Sequence, residues 1–128
     1  MKNIFLVLVL ALVGNGVFAI GGEIDAIAAG LKAGNSKAVS KYFGSTVDLS
    51  ILDKDDVYSK AQAEIILKDF FAKHPAKSFK ILHQGTSKMK LEYAIGNLQT
   101  SKGTFRVTYN LRKSGDRLIL KQLRIDKQ

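Results

Sequence analysis

The sequence predicts an α+β fold in which N-terminal helices pack on one face of a curved antiparallel sheet. Apolar residues recur at helical spacing before Pro75, and after it they alternate with a period of two through four segments. Turn residues separate these four segments. Helices that come first and strands that follow are typical of α+β domains, and 128 residues suffice for one domain.

Two short helices are predicted at the start of the domain. Residues 23–33 carry an apolar residue at every third or fourth position, which predicts a helix with one face packed on the core. Gly34 ends this helix. Residues 36–43 form a second, shorter helix that Gly44 ends.

A strand and a longer helix follow. Residues 46–52 alternate apolar and polar side chains, which predicts a half-buried strand, and the acidic run at residues 53–56 is interpreted as a solvated turn. The next helix is predicted over residues 59–73. Ser59 is its N-cap, since Gln62 three residues later completes a capping-box pattern, and the proline beyond it stops the helix.

The second half of the chain is predicted to form an antiparallel meander of four strands. In its last segment the apolar phase shifts to Leu123 and Ile125, which predicts a β-bulge near Lys121 and Gln122. The residues that alternation assigns to the core side are Phe79, Ile81, His83, Met89, Leu91, Tyr93, Ile95, Phe105, Val107, Tyr109, Leu111, Leu118 and Leu120.

The composition excludes several classes of chemistry. The chain is 46% apolar and has no cysteine, which excludes a disulfide scaffold, a thiolate metal site, a cysteine nucleophile and a lipid anchor on cysteine. Its two histidines lack metal-ligand spacing, and neither a nucleophile elbow nor a phosphate-binding glycine loop occurs. The sequence therefore indicates no catalytic residue, no metal site and no cofactor.

The first 19 residues are predicted to be a signal peptide. Lys2 precedes an apolar run of ten residues at positions 4–13, and small or medium residues at Val17 and Ala19 fit a cleavage site before Ile20. A run this short does not span a membrane, which takes about 20 residues in a helix. Removal of 19 residues from 128 leaves a single domain of 109 residues at positions 20–128, exported to the periplasm or secreted.

Positive charge is concentrated in the sheet half of the chain. Residues 73–128 contain thirteen Lys or Arg against three Asp or Glu, whereas residues 20–72 contain six against eight. Export disfavours nucleic acid as the partner and leaves an anionic component of the cell envelope or a protein partner. The cations predicted on the outer face of the sheet are Lys80, Lys88, Lys90, Arg106, Arg112, Lys121 and Arg124, with Glu92 the only acidic residue among them.

The order of the predicted elements is similar to the nuclear transport factor 2-like fold, also called cystatin-like or ketosteroid-isomerase-like. In that fold a curved sheet closed by helices forms a cone. Four segments also resemble a family of small exported bacterial proteins catalogued as a domain of unknown function. They are Tyr58-Ser59-Lys60-Ala61-Gln62-Ala63-Glu64, Leu67-Lys68-Asp69-Phe70-Phe71, His83-Gln84-Gly85 and Ala94-Ile95-Gly96. The resemblance spans nearly all of residues 20–128 and implies the fold and export, but no activity.

A ligand pocket is one hypothesis for the concave face of the sheet. Alternation directs His83, Tyr93 and Tyr109 toward an otherwise apolar surface, and Tyr58 is the fourth pocket candidate. The alternative is that these side chains are ordinary core residues. The ketosteroid-isomerase branch of the fold needs a carboxylate base in the cone, whereas Asp48 is expected on the polar side of its strand.

Two functions remain open at this point. The first is a non-catalytic exported module that binds through the basic face of the sheet or acts as a scaffold. The second is a small-molecule-binding protein, or a lyase or isomerase, centred on the concave face. Homodimerisation through the open sheet is a further alternative that no particular residue requires.

Overall fold

The computed structural model describes residues 22–128, which form three helices and six strands. The helices are α1 (Gly22–Ala33), α2 (Ser36–Ser40) and α3 (Lys60–Lys73). The strands are β1 (Phe43–Ile51), β2 (Lys54–Ser59), β3 (Ala76–Thr86), β4 (Glu92–Thr100), β5 (Gly103–Ser114) and β6 (Arg117–Lys127). The predicted signal peptide and its cleavage point lie outside the described residues.

The first two helices differ in how well the sequence predicts them. In α1, Ile24, Ile27 and Leu31 are buried, which confirms the predicted apolar stripe. Helix α2 ends at Ser40 and is shorter than predicted. The chain joins the sheet directly after it, because the Leu120 N–H donates to the Tyr42 carbonyl oxygen at 2.6 Å.

Helix α3 begins and ends as its sequence predicts. The Ser59 hydroxyl accepts a hydrogen bond from the Gln62 N–H at 3.3 Å, which confirms the N-cap. The helix ends at Lys73, and the His74 N–H donates to the Phe70 carbonyl oxygen at 2.8 Å. Its buried face carries Ala63, Leu67, Phe70 and Phe71, and this face packs into the core.

The six strands form one sheet in the order β2-β1-β6-β5-β4-β3. Strands β3, β4, β5 and β6 pair antiparallel with their sequence neighbours, which confirms the meander. Strand β1 joins the open side of β6 in a parallel pair and pairs antiparallel with β2. The inner face of the sheet packs on the helices, so the predicted α+β fold is confirmed.

Strand β2 is absent from the sequence prediction. The interpretation of residues 53–56 as a solvated turn is wrong, because Lys54–Ser59 pairs with β1 in a hairpin. The turn is confined to Leu52 and Asp53, both with positive φ (50° and 73°). Two central residues with positive φ are typical of the tightest hairpin turns, which usually contain Asn or Gly.

Two of the β-bulges in the sheet bear on the predicted positions of side chains. On β6, Asn110 pairs with Gln122 while Leu111 pairs with Leu120, which confirms the predicted bulge and leaves Lys121 as the extra residue. A second bulge, not predicted, makes Leu82 the extra residue of β3. This second bulge reverses the alternation along the last third of β3.

Candidate functional site

A cavity of about 580 Å³ lies between α3 and the inner face of the β1–β2 hairpin. Its volume falls within the range of small-molecule sites, about 300–1,000 Å³. The cavity is lined by Leu49, Ile51, Leu52, Lys54, Tyr58, Ile65, Ile66, Asp69, Phe70, Lys73 and His74. Most of this lining is apolar, and the charged residues belong to the exposed rim.

Strand register explains which side chains of the hairpin face the cavity. Leu49 and Ile51 are buried inner-face residues of β1. Lys54 pairs with Ile51 and Tyr58 pairs with Val47, so both share the inner face with their partners. The structure therefore brings Tyr58, one of the predicted pocket residues, to the wall of the cavity.

His74 provides a polar group at one end of the cavity. Its ring stacks on Phe70 with centroids 4.5 Å apart and an interplanar angle of 18°. Its Nδ1 lies 3.0 Å from the Phe70 carbonyl oxygen. Because a carbonyl can only accept, Nδ1 carries the proton, and Nε2 of the neutral ring remains an acceptor. The sequence pattern does not predict this role for His74.

Charged residues complete the rim. Lys73 and Asp69, one helical turn apart on α3, form an ion pair with a separation of 3.1 Å between Nζ and Oδ2. Both side chains are exposed, so the pair contributes little to stability and Lys73 is free to turn toward an anion. Lys54 of β2 faces α3 across the cavity and adds a second positive charge.

The predicted inward orientation of His83 and Tyr93 is wrong. After the Leu82 bulge, His83 pairs with Ile95 and lies on the outer face of the sheet. Tyr93 pairs with Asn110 on the same outer face, and its hydroxyl is 2.9 Å from His83 Nε2. In β4 the core positions are Ala94, Gly96 and Leu98, so the predicted phase of this strand is also wrong.

Tyr109 does face inward, as predicted, but it lies in the packed core. Its side chain is fully buried, and its hydroxyl donates to the Ile24 carbonyl oxygen of α1 at 2.8 Å. Burial raises the pKa of this phenol far above its ordinary value, and the Asp25 carboxylate adds to the rise. Tyr109 is thus a structural link between α1 and the sheet and does not line the cavity.

The outer face carries both signs of charge. Lys80, Arg106 and Arg124 lie there as predicted, and Lys121 is the residue in the β6 bulge. Arg124 Nε donates to Asp126 Oδ2 at 2.9 Å. Asp126, which pairs with Arg106, therefore lies among these cations, whereas Glu92 pairs with Leu111 and shares the inner face. The prediction that Glu92 is their only acidic neighbour is wrong.

Three of the predicted basic residues lie at one end of the sheet. Lys88 and Lys90 belong to the loop between β3 and β4, and Arg112 lies on the part of β5 that extends past its pairing with β4. The predicted basic face is therefore divided between a mixed outer face and a basic sheet end.

Two neighbouring carboxyl groups lie on the outer face near Arg124. Asp48 of β1 and Asp55 of β2 occupy adjacent positions across the hairpin, and Ser50 pairs with both Asp55 and Arg124. A hydrogen bond with the Asp55 carboxyl raises the pKa of Asp48; desolvation and repulsion add to the rise, while Arg124 opposes it. Among the described residues, Asp48 Oδ1 is buried without a hydrogen-bond partner. The ionised form of Asp48 therefore costs stability.

The replacement Asp48→Asn is expected to stabilise the domain at neutral pH. Because folding raises the pKa of Asp48, its contribution to stability falls as the pH rises from the ordinary aspartate pKa, about 4, to the raised folded-state pKa. Asn does not ionise, so the variant avoids this loss of stability. Its free energy of unfolding should exceed that of the wild type most at pH 7, and the difference should vanish below about pH 4. Urea unfolding across this pH range measures it. Asp116→Asn, the same charge change in an exposed turn, is the control, and an equal pH profile for both variants contradicts the expectation.

Residues 22–128 contain no cluster of three or more acidic or imidazole side chains that could hold a metal ion. In the same range, no helix combines the length and hydrophobicity that a membrane crossing requires.

Comparisons with known proteins support the fold. The family model DUF4783, described as a domain of unknown function, matches residues 24–126. A DUF4783 family protein from Bacteroides uniformis is 36% identical over 81% of this chain and 95% of that chain, with a TM-score of 0.77. One from Bacteroides ovatus is 32% identical over 80% and 93% of the respective chains, with a TM-score of 0.76.

More distant structures share the architecture alone. An uncharacterised cystatin-fold protein from Novosphingobium aromaticivorans is 15% identical over 80% of this chain and 93% of that chain, with a TM-score of 0.59. A search of curated proteins gave no similar sequence. The chain thus has a cystatin-like, nuclear transport factor 2-like fold, as the resemblance implied.

Proposed function

Because the chain belongs to the DUF4783 family, a family without an assigned activity, we propose its function from its own cavity. It is an exported, non-catalytic binding module that holds a small amphipathic molecule between α3 and the β1–β2 hairpin. The ligand has an apolar body and an anionic group. The observation that carries the proposal is a cavity of about 580 Å³ with apolar walls and a rim that carries two lysines and a histidine.

The walls favour an apolar ligand body. Leu49, Ile51, Ile66 and Phe70 line the cavity, so a ligand there removes apolar surface of its own and of the protein from water. Each square ångström of apolar surface buried contributes about 25 cal/mol. The ring of Tyr58 extends the apolar wall and carries a hydroxyl that can fix the ligand's orientation.

The rim favours an anionic group on the ligand. Lys54 and Lys73 lie on opposite sides of the cavity, one on β2 and one on α3. His74 does not add to the attraction for an anion, because its Nδ1 donates to a carbonyl oxygen and its Nε2 is left to accept a hydrogen bond from a donor elsewhere on the ligand. A carboxylate, sulfonate or phosphate between the lysines would compete with Asp69 for Lys73.

The same arrangement supports recognition over catalysis. Asp69 is paired with Lys73, and the ring of His74 is held by Phe70 through stacking and a hydrogen bond. Within residues 22–128, no hydrogen bond joins Asp69 to His74, so this carboxylate does not orient the imidazole as the aspartate of a catalytic triad does. Export rests on the signal-peptide pattern of residues 1–19.

The proposal is tested by fluorescence titration with 8-anilinonaphthalene-1-sulfonate, which has an apolar body and one anionic group. We expect saturable binding of one probe per chain, displaced by decanoate. The double variant Lys54→Gln, Lys73→Gln is expected to bind about 30-fold more weakly, because two exposed charges each contribute on the order of 1 kcal/mol in water. The matched control Lys37→Gln, Lys68→Gln removes two exposed lysines away from the cavity.

Two outcomes would contradict the proposal. One is equal probe affinity in the wild type and in the Lys54, Lys73 variant; the other is binding without saturation, which indicates non-specific association with apolar surface. The experiment uses protein recovered after export by the producing cell. Its intact mass therefore also reports whether residues 1–19 have been removed.

A further inference from the structure

Two hairpins of the sheet turn at the same end of the molecule. Strand β3 ends at Thr86 and β4 begins at Glu92, so their loop lies at this end. Glu92 pairs with Leu111, and β5 continues past that pair to Ser114 before β6 begins. Neighbouring strands are about 4.8 Å apart, so the two loops lie roughly 10 Å from each other. We call this region the basic end and define it as Lys88, Met89, Lys90, Arg112, Lys113 and Arg117.

The basic end has a strong excess of positive charge. Its five cations face only two acidic residues in the same loops and strand ends, Glu92 and Asp116, which leaves a net charge of three. The ion pairs found in residues 22–128 join Lys73 to Asp69 and Arg124 to Asp126, at other places. All six residues of the basic end are exposed. Like charges this close repel each other unless an external anion lies between them.

An exposed apolar side chain lies among these cations. Met89, at the tip of the β3–β4 loop, is 78% exposed. The loop that presents it is held by its own hydrogen bonds: the Ser87 N–H donates to the Leu91 carbonyl at 2.9 Å, and the Lys90 N–H donates to the Ser87 carbonyl at 2.9 Å. The Leu91 N–H also donates to the Ser87 hydroxyl at 3.2 Å. Met89 is therefore displayed by an ordered turn.

We propose that the basic end docks on an anionic lipid surface. The cations contact the headgroups, and Met89 enters the boundary between headgroups and acyl chains. Each Lys or Arg near an anionic bilayer contributes about 1 kcal/mol of binding free energy. A soluble polyanion also attracts the cations, but it offers no apolar layer for Met89. The combination of an apolar tip with surrounding lysines and arginines is what favours a lipid surface over other anions.

This inference is independent of the proposed ligand cavity. The cavity lies at the β2–β1 edge of the sheet, whereas Met89 belongs to the loop between the two strands at the opposite edge. Variants of the basic end should therefore leave probe binding in the cavity unchanged. The vesicle experiment and the probe titration therefore test the two proposals separately.

Co-sedimentation with vesicles tests the proposal. The protein is mixed with vesicles of phosphatidylglycerol and phosphatidylcholine in equal parts, or of phosphatidylcholine alone. We expect binding only to the anionic vesicles, weakened as sodium chloride is raised. The variant Lys88→Gln, Lys113→Gln is expected to bind about 30-fold more weakly, since two charges are removed. The matched control Lys37→Gln, Lys68→Gln is expected to bind as the wild type does.

A second variant separates lipid docking from simple charge attraction. Met89→Ser is expected to bind about tenfold more weakly, because it removes the apolar group that enters the bilayer. Val57→Ser is its control, since Val57 is 61% exposed on β2 at the far edge of the sheet. Three results would overturn the proposal: unchanged vesicle binding by Met89→Ser, equal binding to phosphatidylcholine alone, or soluble polyphosphate binding as tightly as the anionic vesicles.

Discussion

Replacement of Gly96 by alanine is expected to lower the free energy of unfolding by about 3 kcal/mol. A Cβ atom at this position would lie 2.5 Å from the Lys80 carbonyl oxygen and 2.6 Å from Cζ of the Phe79 ring. The carbonyl belongs to the β3 backbone, which pairs with β4 and cannot move without disturbing the ladder. Phe79 packs against the core, so its ring cannot leave without opening a cavity.

Urea unfolding followed by circular dichroism measures this effect, and Gly85→Ala is the matched control. Gly85 is also in β3–β4 pairing, but a Cβ there would lie 3.2 Å from the Tyr93 hydroxyl oxygen and 3.4 Å from the ring. That hydroxyl is the far end of a half-buried side chain, which can give way by a few tenths of an ångström. We expect a loss below about 1 kcal/mol for the control. Equal losses for the two variants would contradict the close packing at Gly96.

The elements predicted well from the sequence are those whose signals agree with one another. Helix α3 has a capping serine, an apolar stripe and a terminating proline, and each points to the same bounds. Strand β5 places its large apolar residues on one face only, so its alternation assigns Val107 and Tyr109 correctly. The phase shift in β6 predicts a bulge because one extra residue in a strand moves all later apolar side chains by one position in the alternation.

Alternation assigns the wrong phase to strand β4 because both faces of this strand carry apolar residues. Tyr93 and Ile95 lie on the outer face, while Ala94 and Leu98 lie in the core. Alternation alone assigns the larger side chains to the core. The pairing of Leu98 with Phe105 determines which side chains of β4 face inward. The bulge at Leu82 likewise depends on the register between β3 and β4, which no local sequence pattern reports.

The cavity could be predicted only in part, because it depends on β2. The turn that creates this strand consists of Leu52 and Asp53, without the Asn-Gly or Asp-Gly pair that marks a two-residue hairpin. Once the hairpin forms, Tyr58 and Lys54 face α3 across the cavity. His74 joins them because the end of α3 lies beside the same opening. These residues come from separate elements, and only the packing of those elements brings them together. Local sequence patterns therefore do not predict their proximity.

Replacement of Tyr109 by alanine is expected to destabilise the domain by about 4 kcal/mol, which is typical of removing a buried aromatic ring. The ring is fully buried between the sheet and α1. Tyr109→Phe keeps the ring and is expected to cost about 1–2 kcal/mol, because the Ile24 carbonyl oxygen loses its donor in a buried position. If the alanine variant does not fold, the phenylalanine variant still measures the contribution of the hydroxyl.

Tyr93 offers the matched comparison for Tyr109, since alternation assigns both to the same face. Tyr93 is half-buried on the outer face, and its hydroxyl bonds to the exposed ring of His83. Water can replace that bond and fill the space of the ring, so Tyr93→Ala is expected to cost about 1 kcal/mol or less. Chemical denaturation of the three variants gives the comparison. If Tyr93→Ala and Tyr109→Ala lower the free energy of unfolding by the same amount, the two tyrosines do not lie on opposite faces of the sheet.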